Sequence, residues 1–465
     1  MLVARSAGAQ GGSCAIVSRE TEQQLASVSG DMGLTRSRRR LVAIDLFAGV
    51  GGLSLGFEQA GFDVLAAVEY DPVHAAAHQF NFPLTEVLCR DVRNIGRAEI
   101  LGAARHGWRL HHKSGPAWDG VVDVIVGGPS CQGFSTMGRR DQHDERNDLL
   151  LEFVRIVVEV RPRSFCLENV PGLLQDKYSD LREAAFARLR AAGYRISGFD
   201  RTVNAAHFGV PQNRKRVVIM GALEGEISPL ASSTRLVSVA ESFSLLPDAS
   251  ESDILTREDS VPCANLAHGQ WSQEDSPYAR YMAGIEKDPE DLSRPRIWDP
   301  SLLTNSRLST HAPNSIKRFS LTPQGSIEPV SRFFRLSLEG QARTLRAGTG
   351  RERGAFTSPR PLHPVRDRVI TVREAARLHS FPDWFRFHVT SWHGHRQIGN
   401  SVPPLLARAA AQSIARSLES TPSRGKSSVH LGDEKLLHLS MAEAALLFGA
   451  RSEEIPAQRT RKAAA

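Results

Sequence analysis

Cysteine is scarce and scattered in this chain. Five residues in 465, at positions 14, 89, 131, 166 and 263, include no Cys-x-x-Cys pair and no histidine at ligand spacing. That argues against a zinc site and a disulfide framework, and for a metal-free protein in a reducing compartment. No apolar run approaches the ~18 residues of a membrane span, and the N-terminus shows no apolar stretch before a cleavage site. A soluble, cytoplasmic, monomeric protein without a membrane partner is the expectation. Acidic residues are outnumbered, 51 against 58 Lys and Arg, which leaves a net charge of +7. Such a balance suits a polyanionic partner, and a solvated basic surface nearly as well. The length allows a sizeable core and two lobes.

What the chain does contain is a short stretch with an unusual thiol, Asp123-Val-Ile-Val-Gly-Gly-Pro-Ser-Cys-Gln-Gly-Phe-Ser135. Branched apolar residues ended by Gly-Gly read as a buried strand and its break. The break delivers Cys131 to the strand's carboxyl end, where chemistry collects in open α/β sheets. Free cysteines are usually buried, and a Cys inside Val124–Val126 would fit that. One placed after Gly-Gly-Pro fits a nucleophile better.

Upstream, Leu41–Phe47 reads as a strand, Ala48-Gly-Val-Gly-Gly52 as a glycine turn, and Leu53–Ala60 as an amphipathic helix closed by Gly61. A second strand, Asp63–Val68, leads into Glu69-Tyr-Asp71, and a third unit ends at Asp91. This is the opening of a nucleotide-binding fold. The dinucleotide fingerprint fails, because counting from Gly49 and Gly51 lands on Ser54. A nucleoside-like ligand without a pyrophosphate is expected, with Glu69 placed to hold ribose hydroxyls.

Residues 1–40, rich in Gly, Ser and Ala and ending in Arg36-Ser-Arg-Arg-Arg40, read as a mobile arm. The polar stretch 136–147 reads as a loop beside the site, whose Arg139, Arg140 and Arg146 could clamp phosphates. Asp148–Val160 has helical spacing. Arg163–Gly172 is a strand that carries Glu168 and Asn169 to its tip. Gln212-Asn-Arg-Lys-Arg216 opens a further strand, where Arg214 and Arg216 suit fixing a phosphate or a base carbonyl, and a basic strand edge explains them equally. Periodicity weakens from 223 to about 340. The segment 331–348, with Arg343 and Thr344, is basic with interleaved aromatics. Thr371 and Glu374 form a capping box, and Gln397–Pro404 opens an alanine-rich helix to about Leu418. A linker follows from 419, then a short helix with a Ser440–Glu443 capping box.

Gly-Gly-Pro-Ser-Cys-Gln-Gly-Phe-Ser resembles the catalytic loop of the DNA cytosine-C5 methyltransferases, whose usual form has Pro where Ser130 stands. Asp45-Leu-Phe-Ala-Gly-Val-Gly-Gly-Leu-Ser resembles that family's S-adenosylmethionine loop. Glu168-Asn-Val, Gln-x-Arg-x-Arg, Thr344-Leu345 and Gly-Asn-Ser-Val also resemble its motifs, in its usual order over roughly 41–222 and 341–418.

The resemblance implies Cys131 as nucleophile, with Glu168, Arg214 and Arg216 at the reacting base. It implies a cofactor pocket of Asp45, Phe47, Gly49, Gly51, Glu69 and Asp91, completed by Asn400 and Ser401. Arg139, Arg140, Arg343 and Thr344 are the candidate DNA contacts. The expected architecture is α/β: a doubly wound, Rossmann-like methyltransferase sheet over 41–222, a smaller target-recognition lobe over 223–365, and a return segment over 366–418. The expected activity is methyl transfer to C5 of a flipped-out cytosine in double-stranded DNA, in the bacterial cytoplasm near the nucleoid. A cognate restriction endonuclease acting on the same site is a candidate partner. The rivals are a tRNA cytosine methyltransferase, a catalytically silent DNA-binding paralogue and a nicotinamide oxidoreductase.

Overall fold

The computed structural model describes residues 40–129, 148–198, 200–233, 235–263, 276–348 and 360–450. Four parallel pairings build its centre. Strands β1 (Leu41–Leu46), β2 (Phe62–Glu69), β3 (Glu86–Cys89), β4 (Val124–Gly127) and β5 (Ser164–Asn169) lie in the order β3-β2-β1-β4-β5. These strands are near-continuous apolar runs because helices cover both faces of the sheet. Beyond β5 the sheet turns antiparallel: β9 (Lys215–Ala222) pairs with β5, and β6 (Arg195–Ser197) and β7 (Val203–Asn204) pair with β9, while the short β8 (Gln212–Asn213) pairs with Ala342–Arg343. The doubly wound sheet is therefore mixed at one edge.

On one face, helices α3 (Arg97–His111), α4 (Asp148–Val160) and α5 (Ser179–Ala191) bury Ile100, Trp108, Phe153, Val157, Phe186 and Leu189 against Ile44, Leu65, Ile125 and Phe165. On the other, α1 (Gly52–Gln59) is sandwiched between the sheet and α8 (Pro404–Ser417), and α2 (Pro72–Asn81) follows β2. Glycine makes that contact possible. A Cβ on Gly52 would stand 2.2 Å from the Val402 carbonyl oxygen, and one on Gly56 2.5 Å from that of Pro404. So the return segment packs directly behind the glycine turn.

Both capping boxes form. Thr371 caps α6 (Val372–Leu378) with Glu374, and Ser440 caps the helix Met441–Leu447 with Glu443. Gln397–Asn400, expected to open the alanine-rich helix, instead ends a separate helix, α7 (Ser391–Asn400), whose Gly394, His395, Gln397 and Ile398 are buried. Its residues are weak helix formers, so packing rather than propensity selects the conformation.

Two expectations about the chain's ends are corrected. Arg40 does not belong to a mobile arm. Its guanidinium, 7% exposed, pairs with Asp63 at 2.7 Å and donates to the Leu292, Ser423, Glu58 and Phe62 carbonyls. A buried carboxylate demands such a partner. Residues from 419 are likewise more than a linker. Val429–His430 pairs with Arg296–Ile297, the Gly432 amide donates to the Phe80 carbonyl, and Leu437 is fully buried. The rest of the arm expected over 1–40 lies outside the described residues.

Candidate active site

One row of the sheet register assembles the site. Leu88, Val68, Leu46, Gly127 and Leu167 are lateral neighbours across β3-β2-β1-β4-β5. The residues that follow them at the carboxyl edge are therefore aligned too: Glu69, Phe47, Gly128 and Glu168. Sequence distances of up to 121 positions collapse into one line because the strands are parallel and end together.

At the left of that line is a glycine turn clasped by a carboxylate. Glu69 accepts from the Gly49 amide through Oε2 at 2.7 Å and from the Asp71 amide through Oε1 at 2.8 Å. Burial pushes its carboxyl up. Phe47 holds φ +60, a conformation that costs a non-glycine residue of order 1–3 kcal/mol and that clusters at ligand sites. Gly49 holds φ +56, and a Cβ there would meet no atom of the described residues within 4 Å, so among them this turn faces open space. Gly51 is different. Its missing Cβ is filled by the Phe82 and His78 rings, at 2.2 and 3.1 Å, so this glycine serves packing and does not make room for a ligand.

Below the turn, Asp45 is fully buried. The Ser54 hydroxyl donates to its Oδ2 at 2.7 Å and lies 3.0 Å from His78 Nε2, while Oδ1 has no hydrogen-bond partner among the described residues. Burial raises its carboxyl to about 7 and holds the His78 imidazole down at about 3. An orphaned buried carboxylate oxygen beneath an open glycine turn is a fit for a cationic, nucleoside-bearing ligand. Asp91 caps the turn Val92–Asn94 and is bound by Arg93 in a two-pronged pair at 2.6 and 3.1 Å. Nearby hydrogen bonds to Arg93 lower its carboxyl despite partial burial.

At the right of the line, Glu168 faces the strand that leads to Cys131. A Cβ on Gly128 would stand 3.3 Å from its Oε2, and Asn169 donates to the Pro129 carbonyl at 3.3 Å. Arg216 Nε lies 2.7 Å from Glu168 Oε1, with both side chains 10% exposed. Cys131, Ser130, Arg139, Arg140 and Arg146 lie outside the described residues.

Arg214 is not at the cleft with Arg216. Its guanidinium, 2% exposed, donates to the carbonyls of Leu345, Gly399 and Ser401. In an unbroken strand residues two apart would share a face, but Arg214 sits at the break between Gln212–Asn213 and β9, which lets its side chain turn inward while Arg216, inside β9, reaches Glu168. Arg214 thus ties the Thr344-Leu345 turn to the Gly-Asn-Ser turn. Ser401 donates to the Gln397 carbonyl and is buried, Asn400 is exposed, and a Cβ on Gly52 would be 3.1 Å from Ser401 Cβ. Arg343 lies with its guanidinium 3.8 Å from the Phe334 ring centre, and Thr344 donates to the Asn213 carbonyl at 2.7 Å.

Sequence reasoning missed Gln212. Its amide accepts from the Leu345 amide and donates to the Leu378 carbonyl, joining three segments. Its place at the head of Gln-x-Arg-x-Arg was the available signal. Among the described residues no group of His, Cys, Asp and Glu could hold a metal ion, and no helix is long and apolar enough to cross a membrane.

The family model of the C-5 cytosine-specific DNA methylases matches residues 41–416. The chain belongs to that family. It is 46% identical to the type II methyltransferase M.XorII of Xanthomonas oryzae pv. oryzae, over 91% of this chain and 95% of that one. It is 31% identical to M1.HphI of Haemophilus parahaemolyticus, over 81% and 87%. Among solved structures, a DNA modification methyltransferase encoded within an E. coli prophage superposes with a TM-score of 0.64 at 33% identity, over 82% of this chain and 99% of that one. As a C-5 cytosine DNA methylase, this protein is a DNA (cytosine-5)-methyltransferase of the S-adenosylmethionine-dependent class.

Proposed function

We propose that the aligned strand tips form one reaction cleft, with the methyl donor over β1 and β2 and the target cytosine over β4 and β5. The observation that carries this reading is the register row that lines up Glu69, Phe47, Gly128 and Glu168. S-adenosylmethionine, when bound, supplies an electrophilic methyl group. Glu69 would hold its ribose, Phe47 would stack on its adenine, and the Gly49 turn would admit its methionine part. The buried oxygen of Asp45 left without a hydrogen-bond donor favours a positive charge nearby. Asn400 and Ser401 would close the pocket. Asp91 would bind the adenine amino group once Arg93 shares or releases its carboxylate.

Position 5 of cytosine is too weak a nucleophile to take a methyl group unaided. Addition of the Cys131 thiolate to C6 converts the ring to an enamine and places electron density on C5. Glu168 would accept from the cytosine amino group and share a proton with N3, and Arg216 would hold the Glu168 side chain in place. After methylation, loss of the C5 proton returns its electron pair to the ring and expels the thiolate. A cytosine inside a duplex cannot reach a thiol in a cleft, so the base is flipped out. Arg139, Arg140, Arg343 and Thr344 would contact the DNA, phosphate contacts would supply salt-dependent affinity, and residues 223–365 would read base edges.

Similarity to type II methyltransferases supports a role in modification beside a restriction endonuclease that cuts the same sequence. The test is kinetic. Replacing Glu168 by Gln should lower turnover on duplex DNA by at least 100-fold, with S-adenosylmethionine affinity unchanged. Unchanged turnover would reject the cleft as drawn.

A further inference from the structure

Within the segment 223–365 one hairpin is built to hold a strained, charged tip. Residues 325–335 fold back on themselves: the Gly325 amide donates to Arg335, Arg335 to Ser326, Glu328 to Phe333, and Ile327 bridges Phe334. At the tip the Arg332 amide donates back to the Glu328 carbonyl at 2.9 Å. Arg332 itself stands at φ +62, the left-handed region that an arginine rarely enters, and its side chain is exposed. Two residues before it, Val330 is 69% exposed.

The strain is held by one buried carboxylate. Glu328, fully buried, accepts from Arg318 at 3.0 Å and from the Val330 amide at 3.1 Å through Oε1, and from the Ser331 amide and hydroxyl through Oε2. Arg318 belongs to the helix Pro313–Ser320, so the tip is anchored to a second element. Four donors on one carboxylate over-determine a five-residue loop, the condition under which strained backbone persists at binding sites.

The hairpin also lies toward the reaction cleft. β9 runs antiparallel to β5, so its first residues, Lys215 and Arg216, stand at the end of β5 that carries Glu168. Just before them, Gln212–Asn213 pairs with Ala342–Arg343. Arg343 in turn covers the Phe334 ring at the hairpin's base. The path therefore runs from Glu168 to its partner Arg216, three residues back along the chain to Asn213, across the pairing to Arg343, and onto Phe334 in the hairpin's own pairing with Ile327.

We infer that this hairpin is a base-reading element of the enzyme, with Arg332 as a specificity-determining residue and Glu328 as its positioning residue. An arginine offers paired donors to the major-groove edge of guanine, and an exposed valine offers apolar contact to a thymine methyl. A phosphate contact needs neither a fixed backbone nor a neighbouring apolar group, whereas a base contact needs the guanidinium at one place. The inference rests on the proposed reading of the chain as a sequence-specific enzyme on duplex DNA.

The experiment uses the full chain on a plasmid library carrying every short duplex sequence, with methylated cytosines mapped by sequencing. The variants are Arg332→Ala, Arg332→Gly and Glu328→Gln. Arg332→Gly is the informative one, because glycine accepts the left-handed backbone and keeps the hairpin while removing the side chain. The expected result is a relaxed preference at one or two positions of the target, by roughly 5- to 150-fold, with the S-adenosylmethionine KM unchanged. Glu328→Gln should blur the same positions. An unchanged map in both Arg332 variants overturns the inference, as does a uniform loss at every site with the preference intact, which marks a phosphate contact. Absence of methylated cytosine with the wild-type chain would reject the underlying reading itself, and the inference with it.

Discussion

Asp45 gives the sharpest quantitative expectation. Its carboxyl lies at the end of β1 without solvent contact, and burial raises it from 3.8 to about 7 against the lowering effect of the Ser54 hydroxyl. A folded value above the unfolded one means that the folded chain keeps a proton the unfolded chain has released. The carboxyl therefore costs no stability below about pH 4, costs progressively more between 4 and 7, and costs a constant amount above that window. About three pH units at 1.36 kcal/mol each set an upper bound near ~4 kcal/mol. Asp45→Asn removes this penalty while its carbonyl still accepts from Ser54. Urea unfolding of both chains at pH 4.5 and pH 8 isolates the effect, since other titrating groups are common to both. The variant should gain about 2–4 kcal/mol relative to wild type between the two pH values. It should also bind S-adenosylmethionine at least tenfold more weakly, because the side chain no longer carries charge toward a cation. Parallel stability curves would refute the assignment of the buried charge, and unchanged cofactor affinity would refute its role in the pocket.

Other consequences follow from contacts of the same kind. Arg216→Gln leaves Glu168 without its cation at 2.7 Å, so turnover should fall about 100-fold with DNA affinity retained in gel shifts. Equal loss of binding and turnover would make Arg216 a DNA contact instead. Gly52→Ala drives a Cβ onto the Val402 carbonyl and should cost about 1–3 kcal/mol in chemical denaturation, with weaker cofactor binding by calorimetry. Arg377, fully buried, is bidentate to Asp383 at 2.7 and 2.6 Å. Arg377→Ala should cost about 3–5 kcal/mol, and a loss below 1 kcal/mol would mean that the pair is dispensable.

The site was legible where local pattern and global fold agree. β1, β4 and β5 are apolar runs cut by Gly or Asn, so their tips could be located from periodicity alone, and the Thr371–Glu374 cap announced its helix. The alignment of those tips was not legible, because register across parallel strands is set by packing between segments far apart in sequence. Gly51 and Gly49 look alike in the chain, yet one is filled by Phe82 and the other faces open space. Arg214 and Arg216 belong to one motif, and only the break in the strand at Arg214 separates a clamp on three carbonyls from a partner of Glu168. Arg40 read as the end of a basic run because its partner, Asp63, arrives from β2. In each case the missing information was a tertiary neighbour.

The central claim is tested most directly by product identity. Duplex DNA and tRNA are offered separately with S-adenosylmethionine labelled in its methyl group, and each product is digested to nucleosides. The account predicts label in 5-methylcytosine from DNA, and its loss in Cys131→Ala with DNA still bound. Label confined to tRNA, or undiminished methylation of DNA by Cys131→Ala, would contradict it.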